Sequence, residues 1–232
     1  MLDQAFEALK TYDWGTDTKV LDPIEEAVVT TRDNADARKD LEKRLVATLK
    51  ADVSRDAKDY VCRKLRVVGT AASVPALAEM LPQEENSHMA RYALERMPVP
   101  DAAQALRDAL PKVSGELKVG VIGSLGVRQD AASVPVLASL LEDSDESVAR
   151  SAALALGAIR LPSAAKSLNA AKTQNAAVNA AIADASLACA EAMLDAGKKA
   201  QARQLYKGLS GDDRPKHVRL AATRGLLSCA DE

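Results

Sequence analysis

Two histidines, His88 and His217, and three cysteines, Cys62, Cys189 and Cys229, are the chain's whole stock of imidazole and thiol. Their spacing fits none of the usual chemical uses. No CxxC or Cys/His pattern matches a zinc site, and neither histidine belongs to HExxH. No nucleophile elbow, phosphate loop or dinucleotide fingerprint is present, and no pair stands out among the 33 carboxylates. The sequence therefore leads us to expect no catalytic residue, no metal and no cofactor. The remaining chemistry is that of recognition: Tyr60 and Arg63; His88, Met89 and Tyr92; Gly120 and Gly123; and Arg150. Tyrosine, methionine and arginine around a depression are typical interface anchors. A second group is basic: Lys198, Lys199, Arg203, Lys207, Arg219 and Arg224, with Arg214 and Lys216 among them and only Asp212 and Asp213 in opposition. It suits an acidic partner or head-to-tail association, or is a solvated charged face.

The elements that position these residues come from an internal repeat. Ala131-Ala132-Ser133-Val134-Pro135-Val136-Leu137 recurs nearly letter for letter as Ala71-Ala72-Ser73-Val74-Pro75-Ala76-Leu77, two periods of about thirty residues apart. Leu65, Leu94, Leu125 and Leu156 are spaced by 29, 31 and 31, and so are Leu77, Leu106, Leu137 and Leu168. Two markers sharing one spacing predict a unit of helix, turn, helix, turn. Such a unit cannot bury its apolar stripe alone and must stack on its neighbours. Ser73 and Ser133 are expected as N-caps before Pro75 and Pro135, and Gly157 and Gly197 as residues near helix ends.

A wheel at 100° per residue, with the marker leucine inward, turns the positions two, five and six before it away from the core. These are Arg63, Tyr60 and Asp59; Tyr92, Met89 and His88; Gly123, Gly120 and Val119; Leu154, Ser151 and Arg150. The two glycines each cost about 1 kcal/mol relative to alanine inside a helix. Either they form a bare saddle where a partner approaches closely, framed by Met89, Tyr92, His88 and Arg150, or they let helices pack tightly.

Composition agrees with an all-α fold: 47% apolar residues with only 3% aromatics, mostly alanine and leucine. The net charge of −2 does not favour non-specific nucleic-acid binding. No run approaches a membrane span, and residues 1–15 lack the layout of a signal peptide. We expect capping helices in residues 1–35, repeats in 36–174, and in 175–232 a longer, tetratricopeptide-like pair plus a final helix. In the first segment Phe6, Tyr12 and Trp14 are expected as an aromatic lid over the core, with ligand stacking by Trp14 the alternative. In the last, the matching leucine after Leu168 is Leu205. The final helix has no obvious polar cap, from which we expect either an imposed boundary of the sequence or further repeats after Glu232. Each cysteine falls in a helical pattern, as a small buried thiol would.

The stretch Asp143 to Gly157, with Val148, Ala152, Ala153 and Leu156, resembles the second helix of HEAT repeats, particularly the bacterial, phycobilisome-lyase-like subclass; His217-Val218-Arg219 with Ala221-Ala222 is similar. The resemblance extends over about residues 36–228. It implies a right-handed α-solenoid whose second helices line a concave surface that grips partners. It also implies a ladder between an Asp at the turn and an Arg early in the second helix, for which Asp213 and Arg219 stand here, while Arg150 falls one residue late. The His-Glu pairs of a HEAT-type di-iron hydroxylase are not in the sequence. A protein- or peptide-binding scaffold follows as the leading expectation, as a module of a longer protein or assembly. The alternatives are a DNA-glycosylase-like nucleic-acid binder and an accessory subunit of an enzyme or lyase.

Overall fold

The computed structural model describes residues 1–212 and 214–230, and among these every regular element is helical. The fold is an all-α repeat fold. Fourteen α-helices follow in order: α1 (Leu2–Lys10), α2 (Asp22–Thr30), α3 (Ala35–Leu49), α4 (Arg55–Val68), α5 (Val74–Ala78), α6 (Ser87–Leu94), α7 (Pro100–Ala109), α8 (Gly115–Val127), α9 (Val134–Ser139), α10 (Glu146–Ile159), α11 (Pro162–Ala170), α12 (Ala176–Asp195), α13 (Lys199–Leu209) and α14 (Lys216–Ser228). They group into two compact units, Met1–Val113 and Ser114–Glu232.

All eight marker leucines are buried. Each contributes on the order of 1.5–3 kcal/mol relative to exposure. The period also appears as hydrogen bonds between residues one repeat apart. In the first unit Arg38 donates to the Val67 carbonyl (2.7 Å) and Arg55 to that of Glu85 (3.2 Å), separations of 29 and 30 residues. In the second, Gln129 donates to the Ala158 carbonyl (3.1 Å) and Asn175 to Glu146 (2.8 Å), both across 29 residues. The end carbonyls of α4 and α10, which a lone helix would leave unsatisfied, are thus met by a side chain of the preceding repeat.

In the first unit α4 packs against α3 and α6, and α5 against α6 and α7. Glu42 in mid-α3 is buried, and it accepts from the Thr70 amide (2.7 Å), the Thr70 hydroxyl (3.0 Å) and the Ser73 hydroxyl. This carboxylate pins the α4–α5 connection onto α3. Ser73 therefore does not cap α5 with its side chain. Ser133 does not cap α9 with its side chain either, its hydroxyl donating to the Asp130 carbonyl (2.7 Å), although both serines stand at the expected N-cap positions. Pro75 and Pro135 do occupy the first turns. The aromatic lid is formed only in part. Phe6 is buried beneath the Arg44 guanidinium, 4.3 Å from its ring centre, and Tyr12 is half-buried. Trp14 is 91% exposed and covers no core.

In the second unit α10 packs between α8 and α12, and α12 also meets α11, α13 and α14. Gly157 lies inside α10, not at a cap: a Cβ there would come within 2.8 Å of Ala185 Cα in α12. One repeat earlier, a Cβ on Gly126 of α8 would come within 2.9 Å of Ala155 Cα in α10. These helices meet backbone to backbone. Gly197 does end α12, with φ of 72°. Leu205 is only half-buried, and Tyr206 takes the core position instead, 2% exposed, its ring lying where a Cβ on Gly225 would stand.

The 20-residue α12 is long and apolar enough, by length and composition, to cross a membrane, contrary to the expectation of no such run. Half of its apolar window is buried in the unit. A helix packed by four others is apolar on most sides for that reason alone.

Replacing Gly157 with alanine forces α10 and α12 apart. We expect a loss of about 1–3 kcal/mol in urea unfolding, despite alanine's higher helix propensity. A midpoint at or above that of the parent protein would contradict the backbone contact.

Candidate functional site

In the first unit, α4 and α6 bring Tyr60, Arg63 and Tyr92 together in a cluster of rings and cations. The Tyr12 and Tyr60 ring centres are 6.3 Å apart, tilted by 49°. The Lys64 ammonium lies 4.7 Å from the Tyr60 ring centre, and the Arg63 and Arg66 guanidinium carbons lie 5.7 and 4.6 Å from that of Tyr92. Tyr60 donates its hydroxyl to the Leu21 carbonyl (3.4 Å), and Tyr92 receives a hydrogen bond from Arg66. Burial, and secondarily the nearby Glu25, hold the Tyr60 phenol well above the usual tyrosine range, so it stays a neutral donor. Lys64 pairs with Glu25, and Arg63 with Asp59 at 2.7 Å, a hydrogen bond that raises the guanidinium pKa further.

Tyr12, Lys64 and Arg66 escape the wheel. Tyr12 arrives from the loop after α1, and Lys64 and Arg66 flank the marker Leu65 and reach round it on long stems. Beside the row, Tyr12, Trp14, Asp56, Asp59, Tyr60 and Arg63 line an open depression of about 490 Å³.

Two assignments for this unit divide. His88 is exposed, but Met89 is 1% exposed and belongs to the core. α6 has only eight residues and packs on both α4 and α5, so its buried arc takes in Ser87, Met89, Ala90, Ala93 and Leu94. That arc is wider than a projection from one leucine allows.

Gly120, Gly123 and Arg150 belong to the second unit. Gly123 is exposed, and nothing lies within 4 Å of where its Cβ would be, so tight packing does not account for it. The packing glycine of α8 is Gly126, three residues on. Gly120 is half-buried, and its carbonyl accepts from Ser124 (3.0 Å). Ser151 of α10 donates to the Val119 carbonyl of α8 (3.3 Å); Arg150 is exposed and Leu154 is 54% exposed. The second helices of this unit present a face of small side chains with Leu154 and Arg150 standing above it.

A charge pair between repeats forms at a position the resemblance does not name. Lys118 of α8 pairs with Asp143 at the next turn (3.0 Å), and Asp143 is held below its usual carboxylate range, first by the Asp145 amide and then by Lys118. Asp213 lies outside the described residues. Arg219 pairs with Asp212 (2.5 Å), and His217 reaches Asp184 of α12 (2.8 Å). Of the basic group, Lys199, Arg203 and Lys207 follow one another at four-residue steps along α13, the last two exposed; Lys198 and Arg224 are exposed as well.

Among the described residues no three His, Cys, Asp or Glu side chains gather as metal ligands would. Cys62 and Cys189 are buried, and burial pushes their thiols up to about 12 and about 11; Cys229, just after α14, is half-buried.

Residues 110–188 match the HEAT repeat family, a stretch running from the end of α7 into α12 and narrower than the resemblance read from the sequence. No curated protein matches the chain. Similar solved structures include an engineered protein (TM-score 0.46, 19% identity, covering 99% of this chain and 68% of the other). Human deoxyhypusine hydroxylase in complex with glycerol is another (0.41, 16%, 100% and 96%). UNC-45 from Drosophila melanogaster is a third (0.43, 15%, 98% and 41%).

Gly123→Ala is expected to stabilise the protein by about 0.5–1 kcal/mol, because the position is helical and open. Denaturant midpoints check this, and a loss would mean that a neighbour needs the bare backbone. At neutral pH a maleimide should label native protein rapidly at Cys229 alone, since raised pKa values keep Cys62 and Cys189 as buried thiols. Peptide mapping by mass spectrometry reads the sites, and all three should react after denaturation.

Proposed function

We propose that the protein is a non-catalytic scaffold that binds another protein or a peptide, with the row on α4 and α6 as a contact surface. The observation that carries this reading is the clustering of three tyrosine rings, Tyr12, Tyr60 and Tyr92, with three cations, Lys64, Arg63 and Arg66. Tyrosine and arginine supply large amphipathic surfaces that bury well against a partner at modest entropic cost. Helices position them, so little ordering remains to be done on binding. A row of rings and cations also suits single-stranded nucleic acid. Here Lys64 and Arg63 are already paired with Glu25 and Asp59, which removes charge that a phosphate backbone would need, and a polypeptide is favoured. The phycobilisome-lyase-like subclass, suggested by the motif at 143–157, belongs to the same proposal.

Selection from a displayed random-peptide library, followed by affinity measurement, tests the reading. Arg63→Glu and Tyr92→Ala should each weaken the enriched peptides about tenfold or more, which is about 1.4 kcal/mol, with circular dichroism unchanged. Peptides that bind both variants as tightly as the parent would place the contact surface elsewhere.

A further inference from the structure

Trp14 is the chain's only tryptophan, and the structure leaves it 91% exposed at the rim of the depression beside α4. Tryptophan is enriched at interfaces, where its apolar body is covered while its N–H keeps a polar partner. The loop that carries it is tied down. Ser54, the N-cap of α4, donates its hydroxyl to the Tyr12 carbonyl (2.5 Å) while accepting from the Ala57 amide (3.0 Å). Asp13 accepts from the Trp14 amide (2.9 Å), the Thr16 amide closes a turn onto the Asp13 carbonyl (3.0 Å), and Gly15 supplies the left-handed residue at φ of 85°. The indole is thus presented outward by a hydrogen-bonded turn.

What the depression offers beyond aromatic surface is negative charge. Asp56, in the first turn of α4, lines it and has no ion-pair partner among the described residues; the charge of Arg63 beside it is already met by Asp59. Of the charged residues that line it, two are carboxylates, Asp56 and Asp59, and one is a cation, Arg63. Aromatic faces next to an unpaired carboxylate are complementary to a cation. Among side chains the arginine guanidinium uses both features at once, stacking on a ring while its N–H groups meet a carboxylate.

We infer that this depression is a binding site for an arginine side chain of a partner polypeptide, with Trp14 and Tyr12 as stacking surfaces and Asp56 as the counter-charge. The inference rests on the peptide-binding reading above and names the chemistry of one residue of the bound segment.

Trp14 itself reports occupancy, because the intrinsic tryptophan fluorescence of the intact protein comes from this residue alone. Capped Gly-Arg-Gly is titrated against capped Gly-Glu-Gly and Gly-Leu-Gly. The arginine peptide should give a saturable change that weakens as ionic strength rises, and Asp56→Asn should weaken it about tenfold. Trp14→Ala, which removes no core contact, should abolish the heat of binding in calorimetry. An equal response to the leucine peptide would make the depression a merely apolar surface, and no saturable response, or one that Asp56→Asn leaves intact, would also overturn the assignment. Concentration-dependent self-association abolished by Asp56→Asn would give the site to a second copy and overturn the separate partner. Library-derived peptides that still depend on Arg63 and Tyr92 would, in any of these cases, leave the scaffold reading standing.

Discussion

Contact between second helices without intervening side chains is the constraint on which the second unit rests. At Gly126 against Ala155, and again at Gly157 against Ala185, there is no room for a Cβ. Interhelical distance is set there by backbone atoms, and the large side chains of the repeat, Leu125 and Leu156 among them, must fit round a spacing already fixed. Alanine richness is the compositional consequence. The first unit solves the same stacking problem with a buried carboxylate, Glu42, that holds a connection by three donors at once.

The two units consequently offer different surfaces. Stacking by small residues in the second leaves an exposed face that is smooth around Gly123 and interrupted by Leu154 and Arg150. The first carries the tyrosines and their cations, fixed to one another by stacking and to the helices by ion pairs with Glu25 and Asp59. The first unit's arrangement joins ring to charge, so that a partner would have to match both.

Much of the fold was legible because leucine spacing, proline placement and the extent of α12 are each set by local chemistry. A wheel captures what one helix does: it turns Arg63 and His88 outward, and both are exposed, while Tyr60 and Tyr92 are half-buried. Features made by two elements were not legible. Nothing near Ser73 marks Glu42, some thirty residues earlier, as its partner, and nothing near Gly157 marks Ala185. Met89 failed because the width of a buried arc depends on how many neighbours a helix has. Trp14 failed because a general expectation, that aromatics near a chain terminus close a core, was applied to a residue that a turn directs outward.

The placement of two rare residues gives the molecule a built-in spectroscopic pair. Its only indole lies in the first unit, and its only half-exposed thiol lies in the second, the other two being sealed in α4 and α12. A dye on Cys229 would report on the second unit and the emission of Trp14 on the first, without a single substitution. Each signal would follow, in solution and in real time, what happens in its own unit when a partner binds.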